Sequence, residues 1–93
     1  MKMVRSVGVS EGLVYLTVSR TGKKKPLYSY LRANYSPANT KIIRRGAKSI
    51  EDLISYAIKR GVTTIIIAAF GEGEKVVVKR LAINGNGRYS WKA

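Results

Sequence analysis

Hydrophobic and polar positions sort this chain into short strands separated by amphipathic helices. Leu13 to Ser19 (LVYLTVS) is rich in β-branched and aromatic residues, follows the turn-like Ser10-Glu11-Gly12, and predicts a strand. Met3 to Val9 is a candidate antiparallel hairpin partner. Pro26 suits a first helical turn, and Leu27, Tyr30, Leu31 and Tyr35 then recur at helical spacing. That helix should stop before Ser36-Pro37, because a residue preceding proline is pushed out of the α region. Thr40 to Arg44 predicts a second strand with Ile42 and Ile43 buried.

Ser49 to Gly61 carries the clearest helical pattern. Ser49 can cap it, with Asp52 three residues on in a capping-box position at the positive helix end. Ile50, Leu53, Ile54, Ala57 and Ile58 fall on one face, Lys59 and Arg60 suit the negative end, and Gly61 supplies a left-handed stop. Val62 to Phe70 is continuously apolar, as a central strand covered on both faces would be. Gly71-Glu72-Gly73 predicts a turn into Lys75 to Ile83, and Asn84 to Gly87 predicts a hairpin into Arg88 to Lys92. The expected order is (β)βαβαβββ: an α/β, more strictly α+β, domain of two helices and a mixed sheet of about five strands.

Ninety-three residues make one domain, taken as residues 1–93, with room for one modest core. The composition is 45% hydrophobic, ordinary for a folded protein, whereas the net charge of +13 is not. Repulsion of that size destabilises a small fold, so a polyanionic partner is expected. Residues 1–50 carry eleven Lys and Arg against one acid, so the first half should supply the binding surface. The chain has no His and no Cys, which removes disulfides, thiolate nucleophiles, imidazole bases and ordinary zinc sites. No catalytic residue, metal or cofactor is expected. The longest apolar run is half the length of a membrane helix, and MKMVRSVGVS has no signal-peptide core; the expectation is an intracellular, cytoplasmic protein without membrane association.

The loop after the first strand reads Arg20-Thr21-Gly22-Lys23-Lys24-Lys25 and runs into a helix N-terminus, where phosphate is favoured by charge and by free N–H groups. It is not a Walker loop. Arg44-Arg45-Gly46-Ala47-Lys48 closes the second strand. If the first two strands are parallel neighbours, both loops meet at one sheet edge. Arg20, Lys23, Lys24, Lys25, Arg44, Arg45 and Lys48 would then form one rim for nucleic acid. Tyr30 and Tyr35 suit the core edge, and Tyr28, off that helix face, is a candidate to stack on an unpaired base. Tyr89 and Trp91 could stack, pack on the sheet or meet a partner; the sequence does not choose among these.

Taken in order, Leu16 to Arg20 (LTVSR), Ile42 to Gly46 (IIRRG), Lys48-Ser49-Ile50 with Asp52-Leu53, and Thr64 to Ala68 resemble the Brix domain of ribosome-biogenesis proteins, in particular the archaeal Imp4-like members. The likeness covers roughly residues 13–82, about the first half of a domain that has two similar halves. The family loop S-R-x-P-S-x-R-T-R is replaced by Ser19 to Lys25, which keeps the charge and changes the arginine positions. The resemblance implies a fold like the anticodon-binding domain of class II aminoacyl-tRNA synthetases. It also implies binding of ribosomal or precursor RNA, and of ribosome-assembly proteins, without catalysis. A homodimer or a stable partner protein would stand in for the missing half. Two other readings compete: an Alba-like chromatin protein coating duplex DNA, and a protein-interaction module docking through Arg88 to Lys92.

Overall fold

The computed structural model describes residues 13–84 and 86–92. The elements are β1 (Val14–Val18), α1 (Lys25–Asn34), β2 (Thr40–Ile42), α2 (Ile50–Lys59), β3 (Thr64–Phe70), a 3-10 turn (Glu72–Glu74), β4 (Val76–Ile83) and β5 (Tyr89–Lys92). They build a five-stranded mixed sheet of order β2-β1-β3-β4-β5. β1 pairs in parallel with β2 and β3, while β3–β4 and β4–β5 are antiparallel. The α+β expectation and the element order therefore hold for the described residues. The proposed Met3–Val9 strand lies outside them.

The chain crosses from β1 to β2 in one direction and from β2 back past β1 to β3 in the other. Crossovers of one hand must then place their helices on opposite sheet faces. They do: Leu27 and Leu31 of α1 pack with Leu16, Val18 and Ala68 on one face. Leu53, Ile54 and Ala57 of α2 pack with Tyr15, Ile65, Ile67 and Leu81 on the other. The apolar run of β3 thus feeds both cores, with Ile65, Ile67 and Ala68 at 5% exposure or less. The central strands β1 and β3 are thus covered on both faces from within the chain, α1 lying on one and α2 on the other.

Strands β1, β3 and β4 are one or two residues shorter than expected, and two larger differences involve β2 and Ile58. β2 ends at Ile42, two residues early, because Ile43 leaves the ladder through a last bond from its N–H to the Leu16 carbonyl (2.7 Å). The Ile43 carbonyl then accepts the buried Thr17 Oγ1 (2.7 Å), and the chain turns through Gly46 at φ 54°. Ile58, assigned to the buried stripe of α2, is 47% exposed. It lies at the end of the helix, its Cδ1 beside Gly87 in the β4–β5 turn.

Candidate nucleic-acid interface

Parallel pairing of β1 with β2 and β3 brings their carboxyl ends to one edge. The loops that follow β1 and β2 therefore lie side by side, and both helices begin at that edge. Of the seven cations assigned to the rim, Arg20, Lys23, Lys25 and Arg44 are exposed, and Lys24 and Lys48 are half-buried. Two ammonium groups pin their own loops: Lys24 Nζ donates to the Arg20 carbonyl (2.9 Å) and Lys48 Nζ to the Arg44 carbonyl (3.1 Å). Each loop is folded back so that its charges project from a fixed backbone.

Arg45 does something different. It is 5% exposed, and its guanidinium points inward. Nη1 donates to the Val18 carbonyl and Nε to the Lys48 carbonyl, both at 2.8 Å. These bonds tie the end of β1 to the turn after β2, so Arg45 fastens the two basic loops together from below. Burial, and then the nearby Arg20, pull its pKa below the ordinary arginine value. Arginine remains charged even so. Its sequence looks like that of Arg44, and nothing in a charge count separates the two. The separation comes from position, since Arg45 points into the sheet edge and Arg44 points out.

Tyr28 is also drawn inward. Its ring packs against the α1-face core, and its hydroxyl accepts the Arg45 main-chain N–H at 2.9 Å. The sequence reading of Tyr28 as a free stacking ring is therefore replaced by a packed one. Tyr28 lies off the buried helix face, yet it is held because it reaches sideways to the turn after β2. Tyr30 and Tyr35 are half-buried at the core edge, and burial raises the Tyr35 pKa.

The two helix starts at the rim are not equivalent. Ser49 Oγ accepts the Asp52 N–H (3.1 Å) and Asp52 Oδ2 accepts the Ser49 N–H (3.0 Å), closing the capping box on α2. The backbone and side-chain bonds to Ser49 lower the Asp52 pKa, helped by Lys48 and Arg20 nearby. α1 has no side-chain cap, no acid in its first turn, and Pro26 at its start. Its first-turn N–H groups face the rim among three lysines, an arrangement that favours an anion. An acid bounds the strip on the β3 side, where Glu74 shares a hollow with Lys23 and Phe70. On the other side Arg32 of α1 lines a hollow with Tyr28, Ile42 and Arg44, extending the basic surface by a residue the sequence reading did not include.

Among the described residues no group of three or more acids, His or Cys is placed to hold a metal. No helix among them is long and apolar enough to cross a membrane. No protein-family model matches the sequence, and no curated protein matches it. The fold is similar to that of a probable ribosomal biogenesis protein from Aeropyrum pernix K1, with a TM-score of 0.67 and 22% sequence identity. The likeness covers 84% of this chain and 43% of that one, so this chain spans less than half of its length. At that identity the comparison establishes a shared architecture.

Proposed function

We propose that this protein binds the phosphate backbone of ribosomal or precursor RNA through the β1–β2 rim and assists ribosome assembly without catalysing a reaction. The observation that carries the reading is the convergence of two basic loops at the uncapped start of α1. Arg20, Lys23, Lys24, Lys25, Arg44 and Lys48 contact phosphates, and Arg45 holds their loops in register. Neutralising phosphates releases counterions, which supplies affinity and makes it salt-dependent. Such contacts position a strand and carry little sequence information. The fold shared with a probable ribosomal biogenesis protein supports the biological setting. A binding role also fits the carboxylates: Asp52 is committed to its capping box, and the chain has no imidazole or thiol to work beside them.

A salt-matched competition tests the ligand class. Single-stranded or structured RNA should displace a labelled RNA better than duplex DNA of equal length. Equal displacement by duplex DNA would favour the chromatin-protein reading and overturn this one. Crosslinking in cells with sequencing of the bound RNA should return ribosomal or precursor RNA.

A further inference from the structure

The cations of the first half leave one surface of the molecule unexplained. Tyr89 and Trp91 are 42% and 48% exposed. They pair with Ile83 and Leu81 and so stand on the α2 face of the sheet, two residues apart. That places their Cα atoms about 7 Å apart along the strand, with both side chains on one face. α2 does not cover them, and Val77 and Lys79 of β4 continue the same face toward the rim, both exposed. Trp91, Lys79 and Lys92 line a shared hollow. The segment 76–92 carries Lys79, Arg80, Arg88 and Lys92 and no acid.

We infer that Tyr89 and Trp91 form a second binding site, a stacking platform for unpaired bases of the same RNA strand whose phosphates the rim holds. This inference rests on the RNA-binding reading above. Two exposed aromatic rings on a segment that carries four cations and no acid suit a ligand that is both flat and anionic. Each base offers a π-face to a ring, and Lys79 and Lys92 meet the connecting phosphates. A second copy of this chain is disfavoured there because the surrounding charges would repel their own kind.

The register sets the distance between the two sites. Trp91 is opposite Leu81, Leu81 opposite Ile65, and Ile65 opposite Tyr15. The platform is therefore three strands from β1 and four residues short of Ser19. At about 4.8 Å between strands and 3.3 Å per residue, that is a diagonal of roughly 20 Å. A strand stacked at about 3.4 Å per nucleotide needs on the order of six nucleotides to join them.

Trp91 is the single tryptophan, so its fluorescence reports on the platform alone. The probes are a single-stranded RNA of about twelve nucleotides, roughly twice that span, and the duplex RNA of equal length. The single strand should quench Trp91 and the duplex should not, since its bases are already stacked. Trp91→Ala should weaken single-strand binding by roughly five- to 150-fold, while Trp91→Phe keeps most of it. Duplex affinity should be unchanged in both. Insensitive Trp91 emission with RNA bound, or single-strand affinity unchanged in Trp91→Ala, overturns the platform and leaves the rim standing. The reverse result, loss of binding in Trp91→Ala with wild-type binding by the Lys23, Lys24, Lys25 triple alanine variant, overturns the rim and keeps the platform. Absence of any RNA binding overturns both. A concentration-dependent change in Trp91 emission without RNA would assign the patch to a second copy and overturn the platform.

Discussion

Replacing Arg45 by alanine should lower the stability of the protein without changing what the folded protein binds. The guanidinium makes two hydrogen bonds at 2.8 Å, to the Val18 and Lys48 carbonyls, beneath the rim. A bond to a charged donor contributes about 1.5–3 kcal/mol, and a carbonyl left buried without a partner costs about 1–3 kcal/mol. Val18 is fully buried, so its carbonyl has no easy access to water, whereas half-buried Lys48 can recover a solvent bond. Discounting the second bond leaves a loss of about 2–4 kcal/mol. The whole stability of a chain this size is about 5–14 kcal/mol, so the change is large. It corresponds to a fall of roughly 10–30 °C in Tm, read by circular dichroism melting. Arg44→Ala, on the exposed partner of the pair, should move stability by no more than about 0.5 kcal/mol. The two neighbours should thus separate cleanly, Arg44 in RNA affinity and Arg45 in stability. Near-wild-type melting of Arg45→Ala with a collapse of RNA affinity would refute the inward assignment and return Arg45 to the binding surface.

Three further outcomes follow from the same geometry. Ser49→Ala should cost about 1 kcal/mol by opening the α2 capping box, with affinity per folded molecule unchanged; chemical denaturation with parallel binding measures both. Thr17→Val keeps the volume but leaves the Ile43 carbonyl without its buried donor, and should cost about 1–2 kcal/mol in the same assay. Asp52 has a folded pKa below its unfolded one, so its contribution is present above the ordinary carboxylate range and is lost as pH falls through the folded value. Melting temperature measured from neutral pH down into the acid range should therefore fall less steeply for Asp52→Asn than for the natural chain, and an identical slope would remove the capping carboxylate from the account.

Periodicity made the scaffold legible because each element follows a strong local rule. The stripe Leu53, Ile54 and Ala57 and the run from Val62 to Phe70 leave little freedom about helix and strand, and the cap at Ser49 is a local device. Parallel pairing of β1 and β2 then converted two separated basic segments into one rim, as the loop positions implied. What could not be read depended on side-chain direction at the sheet edge. Arg44 and Arg45 have the same chemistry, yet one faces solvent and the other binds two carbonyls. Tyr28 looked free because a helical wheel ignores the neighbouring turn to which its hydroxyl reaches. Ile58 matches the apolar stripe, but it sits in the last turn of α2 beside the β4–β5 turn and stays exposed. Arg32 shares a hollow with Arg44 only because of where α1 lies over the sheet, which sequence alone does not fix.

Salt dependence of RNA affinity tests the rim most directly. Six phosphate contacts on a single strand, one for each of the rim cations, give a log–log slope of about −4. Replacing Lys23, Lys24 and Lys25 together by alanine should flatten that slope by about two units and weaken binding to every sequence alike. Alanine at Lys41 on β2 and Lys59 in the last turn of α2, cations that belong to neither basic loop, should leave the slope unchanged. The same flattening in that control, or an unchanged slope in the triple variant, would mean diffuse attraction to a highly charged body and would contradict a localised site.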